Sequence, residues 1–389
     1  MRRHFAAVLA AVLLACATGR APRPPAELPF ELAANHIYLP VAVGQHAPSS
    51  FMLDTGAQFT AIAQTTADAL GLVAGAHGQA RGAGPAVVET TLIRDVDLDV
   101  AGVPLHLPRL PGLPLTEVSL AEGRPIEGLL GENVLRDYAV EIDYARRIVR
   151  FHDPSTFVAP PGAIAVPITF IHNQPVIAAE LTLRDGRVLP MRMMVDTGAG
   201  GAVLVNRPFA EKHAIYDAIA PAIEGPFGVG IGGASTSRIG RAARFAVAGF
   251  TFDAPLVAAS MNRAGAVALR DVDGLIGAEI LRRFTVTLDS AHRRLLLAPN
   301  ATLHAPFEVE TSGAGFKAAD LKFDRVLVRY VLPNSPAAEA GLQVGDEIVS
   351  ARTVGALRPL FAEPGKRIAL RVRRGGREFE AVIVTRRLV

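Results

Sequence analysis

Asp-Thr-Gly-Ala occurs twice in this chain, at Asp54-Thr55-Gly56-Ala57 and at Asp196-Thr197-Gly198-Ala199. Each copy follows a short apolar run, Phe51-Met52-Leu53 and Met193-Met194-Val195, and runs on into small and apolar residues. An apolar run ending in Asp-x-Gly reads as a buried strand that delivers a carboxylate on a tight turn. Two such turns facing each other would hold Asp54 and Asp196 close together. Like charges that close cannot both ionise, so one proton is shared. A pair in that state can take a proton from water as base and protonate a leaving amine as acid. Asp-Thr-Gly is also ordinary turn chemistry, and a single copy would be explained by that alone.

The elements around the motifs repeat as well. Ile126-Glu127-Gly128-Leu129-Leu130-Gly131 aligns with Val272-Asp273-Gly274-Leu275-Ile276-Gly277, and 138–143 aligns with 284–289. The aspartates lie 142 residues apart, and Gly131 and Gly277 lie 146 apart. Two units of nearly equal length therefore share one order of elements. Strands are expected at 36–43 and 49–53. A helix is expected at 64–70, stopped by Gly71, and its counterpart runs to His213 with Asn206 as N-cap and Pro208 in the first turn. Asp143 and Asp289 read as strand-end turn residues. Two segments are rich in glycine: 76–88, with Gly78, Gly82 and Gly84, and 225–240, with Gly228, Gly230, Gly232 and Gly233.

These residues resemble the retropepsin-like and pepsin-like aspartic peptidases, in a bacterial form with both lobes on one chain. The resemblance rests on the two Asp-Thr-Gly-Ala motifs and on Leu129-Leu130-Gly131 and Leu275-Ile276-Gly277, and covers roughly residues 30–300. It implies a mainly β, bilobal fold with Asp54 and Asp196 as the catalytic pair. Thr55 and Thr197 would brace the two turns, and Gly131 and Gly277 would pass beside them. The glycine-rich segments would be flaps that close over a substrate, the second matching more closely than the first. Neither carries the tyrosine of a pepsin-like flap. Where pepsin-like enzymes place Ser or Thr after Asp-Thr-Gly, this chain has Ala57 and Ala199. Without a hydroxyl to favour the carboxylate, the pair is expected to titrate at higher pH than pepsin's.

From about residue 306 the pattern changes. Ser335-Pro336-Ala337-Ala338-Glu339-Ala340-Gly341-Leu342, then Gly345-Asp346-Glu347-Ile348, resembles a bacterial PDZ domain. Gly313-Ala314-Gly315-Phe316 matches its carboxylate-binding loop, which implies capture of a peptide C-terminus along an open sheet edge. Residues 354–360 show no clear second-helix pattern, so the groove is expected to be shallow.

The N-terminus reads as an export signal: Met1-Arg2-Arg3-His4, then an apolar run to Ala15 too short to span a bilayer. Leu13-Leu14-Ala15-Cys16 resembles a bacterial lipoprotein signal in which Cys16, the single cysteine, is acylated. Cleavage after Ala15-Cys16-Ala17, without a lipid, is the other reading. The expected domains are a signal over 1–16, a linker over 17–29, lobes over 30–158 and 159–303, and a PDZ domain over 304–389.

Other chemistries find little support. Net charge is +3 and the arginines are scattered, which argues against nucleic acid as a partner. The ten histidines show no metal-ligand spacing, and the Gly228–Gly233 run lacks the Lys-Ser/Thr of a phosphate loop, so neither metal nor cofactor is expected. Both carboxylates lie on one chain, so a monomer suffices. The expected partners are a peptide or protein substrate and, through the lipid, a membrane. The rival reading is a binding protein that uses the same lobes and PDZ domain without cutting.

Overall fold

The apolar–polar alternation of most segments sets up a chain built from strands. In a computed structural model, which describes residues 27–100, 102–307 and 311–389, these strands form four sheets. Cys16 and the expected leader lie outside the described residues. Among the described residues, no helix is long and apolar enough to cross a membrane.

A six-stranded sheet joins the two halves. Its centre is the antiparallel pair Ala139–Asp143 and Phe284–Asp289, in register Glu141 to Thr287. Each of these strands pairs outward with the next strand of its own half, Ile148–His152 and Arg294–Pro299. Those pair in turn with Glu27–Pro29 and Ile164–Pro167. The strand order is therefore the same read from either edge, as the repeat in the sequence requires. Val140, Ile142, Val286 and Leu288 are buried in it and belong to one core shared by both halves.

Above it each half builds its own sheet by the same route. Ser49–Leu53 runs parallel to Gly128–Leu130, which is antiparallel to Ala61–Ala63. In the second half Val188–Val195 runs parallel to Gly274–Ile276, which is antiparallel to Val203–Val205. The end of each motif strand lies between two neighbours, where Phe51-Met52-Leu53 and Met193-Met194-Val195 are mostly buried. The glycine-rich segments form hairpins: Ala74–Arg81 with Val87–Val100, and Ile223–Gly230 with Gly233–Arg241.

Three local expectations need correction or extension. Asn206 precedes the Arg207–Lys212 helix, but its side chain does not cap it; the amide donates to Val272 O at 2.9 Å. Asp289 is more than a turn residue. It is fully buried and meets Arg294 Nε at 2.7 Å and the His292 ring at 2.8 Å. A helix does form at Val354–Leu357, continued as a tighter turn over Arg358–Phe361. Thr353 caps it by accepting from Ala356 N, while Val354, Leu357 and Phe361 face the core. Gly355 and Pro359 between them obscured that spacing in the sequence.

The C-terminal domain is a five-stranded sheet with Ala314–Ala318 as one edge. Ser335 caps the Pro336–Glu339 helix through Ala338 N, and Gly341 ends it at φ 76°. Arg283 anchors the chain leading into this domain. Buried, it donates to Ala305 O at 2.5 Å and Leu303 O at 3.0 Å and lies 4.3 Å over the Phe307 ring.

Candidate active site

The site forms where the two motif strands end. Asp54 N donates to Leu130 O and Asp196 N to Ile276 O, both at 3.0 Å, so each turn leaves its sheet at the same point. Beneath each turn runs the glycine after the apolar pair. A methyl on Gly131 would sit 2.4 Å from the Phe59 carbonyl carbon, and one on Gly277 would sit 2.2 Å from Gly201 O. No side chain fits there, which accounts for glycine at both positions. The chain then bonds to the turn above: Glu132 N to Ala57 O at 2.9 Å and Ala278 N to Ala199 O at 2.7 Å.

Thr55 and Thr197 hold the turns to each other. Each hydroxyl accepts from the other threonine's N–H at 3.1 Å. Each also donates at 2.7 Å to the other half's strand end, Thr55 to Val195 O and Thr197 to Leu53 O. Both threonines are buried, and each hydroxyl puts its one donor and an acceptor position into this clasp.

The clasp brings the carboxyl groups face to face. A methyl on Gly56 would lie 2.5 Å from Asp196 Cγ, and one on Gly198 would lie 2.5 Å from Asp54 Cγ. Asp54 Oδ1 accepts from Gly56 N at 2.9 Å and Ala57 N at 3.0 Å, and Asp196 Oδ1 accepts from Gly198 N at 2.9 Å. Burial raises both carboxyls above the usual range. Asp54's own backbone donors and the charge of His36 partly offset this. Asp196 is raised further, by burial and then by the charge of Asp54. Two buried carboxyls this close cannot both ionise, so the pair shares one proton.

The two glycine-rich hairpins bond to each other. Gly84 N donates to Ile231 O at 2.9 Å and Ala86 N to Gly232 O at 3.0 Å. Gly232 and Gly233 have φ of 90° and 106°, conformations that let the second hairpin turn back at its tip. Gly82 and Gly84 come so close to Ile231 and Gly232 that side chains are excluded. Gly228 and Gly230 lie in the strand that leads to the tip, Gly230 against Ala83. The loop before the Ala266–Ala268 turn supports the first tip, with Ala266 N donating to Gly82 O at 2.8 Å.

Sequence reasoning missed the residues flanking the turns. Asn35 and Asn173 occupy matching hairpin turns with φ of 69° and 63°. Asn35 Nδ2 donates to Gly200 O at 2.9 Å, reaching across to the second motif. The next residues differ: Gln174 donates to Gly56 O, whereas His36 lies against Gly200. His36 Nδ1 is 3.4 Å from Glu122 Oε2, and Glu122 is 3.4 Å from Arg358 of the C-terminal domain. Burial works to raise the Glu122 carboxyl, but His36 and Arg358 outweigh it and hold it below the usual range. Among the described residues, a chain of polar contacts through Glu122 and Arg358 thus reaches a nearly symmetric site from the His36 side. The repeat itself was the available signal: aligned halves put His36 opposite Gln174.

In the C-terminal domain the loop residues stand at the start of the edge strand. Gly313 has φ 73° and Ala314 N donates to Ser312 Oγ at 3.1 Å. A methyl on Gly315 would meet the Tyr330 ring at 2.1 Å, and Phe316 stacks on Phe361 at 5.7 Å.

Comparison with known proteins agrees with this division. Residues 39–134 match the aspartyl protease family model, a span that holds Asp54 and Gly131. Residues 327–351 match the PDZ domain model. No curated protein matches the chain. The chain is thus mainly β, with an aspartyl protease domain and a C-terminal PDZ domain.

Proposed function

We propose that this chain is an aspartic endopeptidase whose two carboxylates come from one polypeptide. The observation that carries this reading is the reciprocal approach of Gly198 to Asp54 and Gly56 to Asp196, locked by the paired threonines. Ionised Asp54 takes a proton from a water held between the carboxyls, and that water attacks the peptide carbonyl carbon. Asp196 gives its proton to the carbonyl oxygen. In the collapse that follows, the proton on Asp54 passes to the leaving amine, the hydroxyl proton returns to Asp196, and the C–N bond breaks. The flaps exclude bulk water and present backbone to the substrate main chain, which favours binding of an extended peptide.

The PDZ domain supplies a second site, suited to the C-termini of substrates or partners. We also propose that the chain works in a bacterial envelope, tethered by a lipid on Cys16 that faces the periplasm, and works as a monomer. Support for export comes from the charged and apolar start of the sequence. The contacts of the Thr55–Thr197 clasp all lie within one chain, which favours the monomer.

The test is a peptide-library digest by the wild type beside Asp54→Asn and Asp196→Asn. Each variant should lose at least about a thousandfold in kcat/KM, the scale of acid–base catalysis by a positioned group, with melting behaviour retained. A wild type that binds peptides and never cuts them would replace this reading with that of a binding protein.

A further inference from the structure

The groove of the PDZ domain already has an occupant. Its walls are the edge strand Ala314–Ala318 and the Val354–Leu357 helix with the turn to Phe361. A peptide entering it would add as a strand along that open edge. The Thr116–Glu122 helix of the first lobe packs on the same strand. At its end Gly123 takes φ 72°, and a methyl there would lie 2.5 Å from Val354 Cβ. Glu122 then meets Arg358 at 3.4 Å. The helix therefore touches both walls, and Gly123 is needed for its conformation and for the close approach.

The same domain grips the flap of the second lobe. Arg329 donates to Pro226 O at 2.9 Å and to Phe227 O at 3.1 Å. The Phe227 ring meets Tyr330 edge-on at 5.7 Å, and a methyl on Gly225 would lie 2.7 Å from Leu332 Cδ2. These contacts hold the outer strand of the flap, Ile223–Gly230, to the PDZ sheet. One domain thus bridges a first-lobe helix and a second-lobe flap.

We propose that the 116–122 helix and a peptide C-terminus compete for the PDZ groove, and that entry of the peptide releases the second-lobe flap. Peptide capture and opening of the cleft are then one transition. The seat is suited to reversal: it combines one part-exposed ion pair, which adds little, with a few hydrogen bonds and a small apolar contact. A closed seat lowers the apparent affinity for peptide by the fraction of molecules in which the groove is open. The inference rests on the reading of the groove as a peptide site and is independent of whether the dyad cuts.

The experiment uses the full chain with Asp54→Asn, so that probes survive. The probes are fluorescein-labelled random-body peptides ending in a free Val or Leu carboxylate, with the amidated peptides as control. Two further variants loosen the seat at opposite ends: Arg358→Glu faces Glu122, and Arg329→Ala lies outside the groove. Each should bind the free-carboxylate peptides about tenfold more tightly than the parent, ~1.4 kcal/mol, with the amides unbound. Saturating peptide should also speed amide hydrogen exchange across 223–230 in the parent. Equal affinity in parent and both variants would overturn the proposal. So would absence of binding in all three, or exchange over 223–230 that peptide leaves unchanged. Cleavage by the undisturbed dyad is measured separately, so its failure does not bear on this result.

Discussion

Gly198 lies against the Asp54 carboxyl so closely that a methyl on it would stand 2.5 Å from Cγ, closer than real methyl contacts come. The glycine of each turn is therefore a condition for the carboxylate of the other turn to reach the centre. Gly198→Ala should displace Asp54 while leaving its strand in place. The expected outcome is loss of at least about a hundredfold in kcat/KM, since small misplacements at a reacting centre cost that much. Overpacking should also remove about 1–3 kcal/mol of stability, readable in denaturant titration. Gly56→Ala should match it, because the relationship is reciprocal.

His36 is where the site departs from symmetry, since the aligned residue is Gln174. Its charge favours ionised Asp54, as does a hydrogen bond with Asp196, and Glu122 lies 3.4 Å from the imidazole. His36→Gln would make the two sides alike. Without the charge at this position the Asp54 carboxyl rises, so the acid limb of kcat/KM should move to higher pH. A merely structural role for His36 would lower activity at every pH and leave the limb in place.

Ala57 gives the opposite test. Its N–H already donates to Asp54 Oδ1 at 3.0 Å, so a hydroxyl on this residue stands near the same oxygen. Ala57→Ser adds a donor that favours the charged carboxylate, and the acid limb should move to lower pH. A pH–rate profile of the variant beside the wild type reads the sign directly. A limb that moves up would show that serine bonds elsewhere.

What the sequence disclosed was chemistry that depends on local backbone. The Asp-Thr-Gly turns, Gly131 and Gly277 beneath them, and Ser335 with Gly341 around a short helix are each set within a few residues, so composition and order expose them. Gln174 on Gly56, Arg283 on the linker carbonyls, and Glu122 on Arg358 leave no such trace. The first and last join residues 118 and 236 positions apart. Arg283 resembles any strand-end arginine until Phe307 and Ala305 fold onto it. The Val354–Leu357 helix escaped because glycine and proline interrupt a spacing whose partners lie in the sheet opposite.

Glu132 sets the pH dependence of the lobe interface. It is buried beside Ser290 of the other half, whose hydroxyl donates to Oε1 at 3.0 Å, and burial pushes its carboxyl up to about 8 from an ordinary 4.5. The folded state therefore keeps a proton that the unfolded state releases. This contribution to stability is fully present below about pH 4.5 and is lost as pH rises through about 8. Glu132→Gln keeps the shape and carries no charge to bury. The variant should melt near the wild type at acid pH and above it at alkaline pH, with a gain on the order of a few kcal/mol. Thermal denaturation across that range checks the sign. A variant that loses stability equally at all pH values would show that Glu132 enters the fold ionised, held by a partner that glutamine cannot replace.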